Sequence, residues 1–353
     1  MASSAVKVAV LDDYQGIAAA KFKHLEPTIS VEAFQDTINP QTNEGKERLV
    51  KRLEPFTVIS TMRERTPFSK EVIQSLPNLK LLLTTGMKNS AIDLDACAER
   101  GIIVAGARGV GKGEEKAPPT SIDSTLQHCW ALILGLARNI ARGDSAVKSG
   151  FWEISPAIGL KGKTLGLLGF GNLGSRVASV GAYAFGMKIV AWSSSLTQEV
   201  ADKKAESFSL PKGTFQVAKS KEALVAGADV LSIHYVLSDR SRNILGEDEL
   251  SLMKSTAFLI NTSRAALVDE KALLNKLNAG KIKGVALDVF NEEPLPSDSP
   301  WRCTEWETGG RSTVLLSPHM GYVEDGVINR WYEDTATNLE LWLNGKQLTA
   351  KLN

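Results

Sequence analysis

Cysteine is scarce in this chain of 353 residues, and the three present, Cys97, Cys129 and Cys303, are odd in number and far apart. That excludes a disulfide framework and any paired-thiolate metal site, and it fits a reducing compartment. An excess of one charge is missing too: 41 basic side chains face 40 acidic ones, a net charge of +1. Such a balance gives no wide basic field, so nucleic acid is not expected as a partner. No apolar run reaches membrane-spanning length, and the opening residues carry no basic-then-apolar leader. The last residues, from Ala350 to Asn353, resemble a peroxisomal address displaced by one position, and such addresses must be terminal. A cytoplasmic protein with no membrane partner is expected. Histidine is also sparse: His24, His128, His234 and His319 form no cluster with cysteines or carboxylates that would hold a metal.

Apolar residues, by contrast, make up 43% of the chain, enough for two ordinary cores, and the length itself argues two domains. In the first third, short apolar runs at 6–11, 31–34, 58–60, 79–84 and 102–105 read as strands. Helical patterns at 18–25, 43–53, 70–76 and 94–100 fall between them. That alternation predicts a parallel α/β sheet. Its first turn, ending at Gly16, carries no glycine fingerprint, so this sheet is not expected to hold a nucleotide. The glycine- and proline-rich stretch at 106–119 contains a near phosphate-binding loop, Gly106-x4-Gly111-Lys112. Gly113 replaces the needed hydroxyl, and Pro118 and Pro119 deny the helix, so a linker is expected. A capping box at Ser124 and Gln127 then predicts an apolar helix running to Arg138, followed by a polar loop with Trp152.

The chain is organised around the stretch from Lys163 to Gly174. An apolar run at 165–168 has the character of a buried strand and is followed by Gly169-x-Gly171-x-x-Gly174 and an apolar helical pattern. Strand, glycine turn and helix together form the dinucleotide fingerprint. One glycine allows the tight turn, the next clears space for a pyrophosphate, and the third lets helix and strand pack closely. The helix N–H groups then meet the anion. Further strands at 188–192, 229–234, 257–261 and 284–289, with a helix at 269–278, complete a doubly wound domain. A long amphipathic helix at 324–343 returns, by chain direction, toward the first domain. The expected division is a flavodoxin-like substrate domain at 1–120 completed by 322–353, and a Rossmann domain at 121–321.

A nucleotide fold does not fix a reaction, so groups able to move a proton were sought at the strand ends. Arg264, Asp288, Glu293 and His319 stand there, where ligands of such sheets bind. His24 and His128 read as structural, and Glu292 is the rival of Glu293.

Taken in order, Pro77 to Lys80, Gly86, Ile92-Asp93, Gly101 to Val104, residues 162–169, 261–270, 287–294 and 317–321 resemble the D-isomer-specific 2-hydroxyacid dehydrogenases. The resemblance implies an NAD(P)-dependent enzyme that reversibly reduces a small 2-oxo acid such as glyoxylate or hydroxypyruvate to a D-2-hydroxy acid. It implies that Arg264 grips the substrate carboxylate, a task suited to a guanidinium fork. His319 becomes the general acid and base, oriented through its far ring nitrogen by Glu293. Gly86 and Met87 offer backbone N–H groups to the substrate. Gly169, Phe170, Gly171, Asn172, Leu173, Gly174, Ser193, Ser194, His234, Thr262, Ser263 and Asp288 fall to the cofactor, Asp288 at the nicotinamide carboxamide. No metal is implied, and a homodimer is, through the cofactor domain and an arm at 143–159.

Three departures stand out. Ser193 occupies the strand end where NAD-preferring relatives place an acid, which predicts moderate preference for NADP with NAD usable. Ala265 replaces a glycine after the arginine, and the turn at 86–90 gains bulk and charge from Met87 and Lys88. The loop at 296–311, with Trp301 and Trp306, is expected to shape the pocket or cover an interface. The alternative reading is a dinucleotide-sensing, corepressor-like binding protein, since the same residues serve there too.

Overall fold

A computed structural model describes residues 5–109 and 123–353, which divide into two compact units, Met1–Lys116 with Glu324–Asn353 and Ala117–Val323. Residues 110–112 of the near phosphate-binding loop, and Pro118 and Pro119 after it, lie outside the described residues. In the first unit, β1 (Val6–Val10), β2 (Ile29–Ala33), β3 (Val58–Thr61), β4 (Leu81–Thr85) and β5 (Ile103–Ala107) form one sheet. All its pairings are parallel, in the order β2-β1-β3-β4-β5. The helices α1 (Ala18–Phe22), α2 (Asn43–Leu53), α3 (Lys70–Gln74) and α4 (Leu94–Glu99) connect the strands. Thr42, Ser69 and Asp93 cap the last three with side-chain oxygens, each satisfying an amide that a first turn leaves open. The helix expected over 18–25 is shorter than its pattern, ending in a 3-10 turn at Lys23–Leu25. Pro27 is the cause, since it forces Glu26 into an extended conformation.

The second unit opens with α5 (Ser124–Ala137), and its cap differs from the expected one. Asp123, not Ser124, accepts from Leu126 N at 2.9 Å, and Ser124 is the first helical residue. Asp123 gains from a second role, an ion pair of 2.7 Å with the buried Arg176. The polar loop expected after Arg138 instead contains α6 (Ile140–Lys148), which starts after Asn139 in a left-handed conformation. No residue of α6 is buried, so no core imposed the apolar stripe by which a helix is recognised.

The sheet of this unit is built from β6 (Thr164–Leu168), β7 (Lys188–Trp192), β8 (Phe215–Val217), β9 (Val230–Ile233), β10 (Phe258–Asn261), β11 (Gly284–Leu287) and β12 (Thr313–Leu316). Its helices are α7 (Asn172–Phe185), α8 (Gln198–Ser207), α9 (Lys221–Gly227), α10 (Glu247–Leu252), α11 (Glu270–Asn278) and α12 (Pro300–Cys303). The order is β12-β11-β10-β9-β6-β7-β8, and every pairing is parallel. Both faces are covered, which is why the central strands are rich in apolar residues and largely buried. Phe258, Ile260 and Ala286 enter the core shared with α5 and α7. Leu259, Val285 and Leu287 enter the opposite core, with Leu224, Leu250 and Leu273. Because all strands run the same way, their carboxyl ends share one edge. The order reverses at β6, which lies between β7 and β9, and the crevice for a ligand in such a sheet opens there. Finally α13 (Asp325–Leu343), capped by Glu324, returns to the first unit and packs on β4 and β5. No helix among the described residues is long and apolar enough to cross a membrane.

Candidate active site

The glycine turn follows β6 at that reversal. Gly169 has φ +97°, and a Cβ there would lie 2.5 Å from the His234 carbonyl, so only glycine fits. A Cβ on Gly171 would meet nothing within 4 Å, leaving clear space in front of the first turn of α7. Gly171 and Asn172 are exposed, and Leu173 is half-buried against the core. The Phe170 side chain turns inward and packs edge-on against Phe215 at 5.4 Å, leaving its backbone at the turn. A clear space before unpaired helix amides is what a pyrophosphate needs.

The next strand end supplies Ser193 and Ser194. Gly169 N donates to Trp192 O at 2.8 Å, which ties the end of β7 to the glycine turn. Ser194 N and Oγ both bond the Tyr235 hydroxyl, the N–H donating at 3.4 Å and the phenol donating to Oγ at 3.1 Å. Tyr235 stacks on Trp192 with ring centroids 6.2 Å apart. Tyr235 was not singled out in the sequence, because its partner lies 41 positions away. No carboxylate of the described chain bonds these serines.

His234 follows β9 and is buried, its Nε2 2.9 Å from Ser232 Oγ. Burial alone pushes its pKa down to about 4, so the ring is neutral. His234 Nδ1 and Thr262 Oγ1 are buried polar atoms without a hydrogen-bond partner. Together with the open glycine turn, these two orphans fit a nicotinamide dinucleotide, whose amide and ribose hydroxyls can satisfy them.

Arg264 follows β10 in a loop closed by Asn261, whose Nδ2 donates to Arg264 O and whose Oδ1 accepts from Ser263 N, both at 3.0 Å. Ser263 Oγ donates to Tyr235 O at 2.9 Å. The Arg264 side chain is exposed and donates from Nη1 to the carbonyl of Ser263 at 2.8 Å.

Two carboxylates follow β11 and one histidine follows β12. Glu293 Oε1 accepts from Phe290 N at 2.8 Å, and its Oε2 takes His319 Nδ1 at 2.6 Å. Glu292 is exposed beside it. His319 sits in the left-handed region at φ 54°. Asp288 is buried and engaged within the chain. Its Oδ1 accepts from Ser317 Oγ at 2.7 Å and Met320 N at 2.8 Å, and its Oδ2 from Gly321 N at 3.1 Å. His128 Nε2 lies 3.0 Å from the same Oδ1. Burial pushes the Asp288 carboxyl up, but the bonds from His128, Ser317 and Met320 outweigh it and hold the pKa below its usual value. His128, read from the sequence as structural, is joined to the turn that carries His319.

Gly86 and Met87 belong to the first unit. Gly86 has φ +82°, and a Cβ there would lie 2.8 Å from Arg63 Nη1. Asn89 braces the turn by donating to Thr84 Oγ1 at 2.9 Å and to Arg63 O at 2.5 Å, and Met87 is exposed. Arg63 was another residue that sequence spacing did not flag. Among the described residues no group of three His, Cys, Asp or Glu could hold a metal.

Comparison with known proteins adds to this geometry. Residues 130–321 match the family described as D-isomer specific 2-hydroxyacid dehydrogenase, NAD binding domain. The chain is 34% identical over 285 residues to a glyoxylate reductase of Aeropyrum pernix, covering 78% of this chain and 77% of that protein. It is 31% identical over 306 residues to a hydroxypyruvate reductase of Thermotoga maritima, covering 84% and 90%. The crystal structure of a D-lactate dehydrogenase from Aquifex aeolicus with NAD and lactic acid superposes with TM-score 0.67 at 25% identity, covering 96% of each chain.

Proposed function

The chain belongs to the D-isomer-specific 2-hydroxyacid dehydrogenases, NAD-dependent oxidoreductases acting on CH–OH, and from that premise we propose that it reduces glyoxylate or hydroxypyruvate to the hydroxy acid, with NADPH moderately preferred over NADH. The observation that carries this reading is the 2.6 Å bond between Glu293 and His319 on the carboxyl edge of the nucleotide sheet. A carboxylate only accepts, so Nδ1 of His319 carries a proton and donates it. The proton exchanged with substrate is then the one on Nε2, and the Glu293 charge stabilises the imidazolium that supplies it. Arg264, one strand over, would hold the substrate carboxylate with two charge-assisted bonds. Gly86 and Met87 would add backbone N–H groups. The bound cofactor supplies the hydride; this chain supplies the proton and the grip. Asp288 is assigned to holding the His319 turn, rather than to the nicotinamide carboxamide alone, because four donors already meet its carboxylate.

Support for NADPH comes from the end of β7, where Ser193, Ser194 and Tyr235 offer hydroxyls and no carboxylate that would repel a 2′-phosphate. A homodimer is proposed because Ile140, Val147, Phe151 and Trp152 of α6 and the following arm are exposed, Trp152 by 76%. A reducing, cytoplasmic setting is proposed from three free cysteines, with Cys97 and Cys129 pushed up to about 11 by burial. The deciding assay is turnover of glyoxylate, hydroxypyruvate and a panel of other 2-oxo acids with each cofactor. Oxidation of NADPH with one of the first two supports the reading, and no turnover across the panel overturns it. Sedimentation at micromolar concentration tests the dimer, and a monomer rejects it.

A further inference from the structure

We propose that His128 is a positioning residue for the reaction, holding through Asp288 and Ser317 the turn that presents His319 to Glu293. The inference rests on the assignment of His319 as the acid–base group. The turn at 317–321 contains a non-glycine residue, His319, at φ 54°, a conformation that persists only where its surroundings enforce it. Asp288 is the enforcer on one side. Its two oxygens collect Ser317 Oγ, Met320 N and Gly321 N, donors that flank His319 before and after. With a side chain only 2% exposed, this carboxylate cannot rely on water for its remaining needs.

The fourth donor comes from α5. His128 Nε2 lies 3.0 Å from Asp288 Oδ1 and 2.9 Å from Ser317 Oγ. The single hydroxyl proton of Ser317 goes to Asp288, and the carboxylate can only accept. Nε2 of His128 therefore carries a proton and donates to both oxygens. The ring also faces the far side of the turn: a Cβ added to Gly321 would point at both partners, 3.3 Å from Asp288 Oδ2 and 3.8 Å from His128 Cδ2. So α5, β11 and the turn after β12 are locked through one imidazole, 160 residues from its carboxylate partner. Replacing that donor by an apolar group leaves a buried charge short of a partner, and the turn is the part free to readjust. A displacement of about 1 Å at a reacting group costs up to a hundredfold in rate.

The test uses the full chain and its scarcity of histidine, since four imidazoles can each be assigned by NMR through single substitutions. His128→Leu is expected to lower kcat about tenfold or more while the KM for the cofactor stays within about twofold, and to shift the His319 ring resonances. His128→Gln, which keeps an N–H near the same place, should restore most of kcat and the His319 signals. Ser317→Ala, retaining His128, is expected to give a smaller loss of the same kind, and it decides the matter if the leucine variant fails to fold. Wild-type kcat and unshifted His319 resonances in the leucine and alanine variants overturn the proposal. Equal loss in leucine and glutamine variants with a raised cofactor KM also overturns it, since that marks a general disturbance of α5. If His319→Gln proves fully active, the acid–base reading fails, yet the resonance shifts still decide whether His128 holds the turn.

Discussion

Among its described residues the second unit contains two carboxylate–imidazole pairs, and they are built to opposite ends. Glu293 and His319 meet at 2.6 Å with side chains 19% and 27% exposed. Asp288 and His128 meet at 3.0 Å, and the Asp288 side chain is 2% exposed. Glu293 accepts from a backbone amide, that of Phe290. Asp288 accepts from four groups on α5 and on both sides of the His319 turn. The difference shows how one chemical motif divides its labour. A partly solvated pair can change protonation during a reaction, whereas a sealed and saturated carboxylate keeps its charge and serves as a fixed point for backbone. His234 is the third case, an imidazole buried with no carboxylate at all.

The sharpest way to break this contrast is to remove the acid of the solvated pair. His319→Gln is expected to reduce kcat by about a hundred- to ten-thousandfold with cofactor affinity retained, measured by steady-state rates and fluorescence titration. A near-normal kcat would take His319 out of its role and leave both pairs structural. The isolated imidazole gives the next effect. Burial holds His234 at about 4 in the folded state, against ~6.5 unfolded. The unfolded chain thus binds the proton first, and stability is full above about 6.5 and declines as pH falls toward 4, by on the order of 3 kcal/mol. Urea denaturation at pH 7 and pH 4.5 measures this, and His234→Gln should flatten the slope. Asp288 acts in the same direction but at lower pH: its depressed pKa adds stability that is lost only as the carboxylate itself is protonated. A smaller effect is expected of Glu293→Gln. It keeps an acceptor for Nδ1–H but removes the charge that stabilises the imidazolium, so kcat for reduction should fall about tenfold, with the alkaline limb of the pH–rate profile moved to lower pH. An unmoved limb would mean that Glu293 only orients the ring.

How much of this was legible in the sequence follows from what each feature demands of its neighbours. The glycine turn could be read because its requirements are local: φ at Gly169, clear space at Gly171 and close packing at Gly174. Helix α2 and strand β7 could be read to the residue because their periodicity and flanking signals agree. The start of α5 was misplaced by one residue because Asp123 and Ser124 are both good caps, and only the pairing with Arg176, 53 positions later, favours the aspartate. Helix α6 escaped because it buries nothing. His128 and Tyr235 escaped for a different reason. Each acts on residues tens to hundreds of positions away, and periodicity places a residue on a face without naming its partner.

A last experiment places a new carboxylate where donors, not acceptors, prevail. At the end of β7, Ser193 is half-buried, and its neighbour Ser194 is bonded by the Tyr235 hydroxyl. A carboxylate introduced as Ser193→Asp would be neither sealed like Asp288 nor matched to an imidazole like Glu293. It would accept from the 2′- and 3′-hydroxyls of an NADH ribose and repel a 2′-phosphate. At half exposure that repulsion is screened, so the ratio of kcat/KM for NADPH to that for NADH should fall by a few-fold up to about tenfold, less in high salt. Rates at 20 mM and 300 mM salt distinguish the causes, these being roughly 20 Å and 6 Å screening lengths. A ratio that falls equally at both would point to hydrogen bonding to the ribose as the source of selection. An unchanged ratio would move that selection away from β7 altogether.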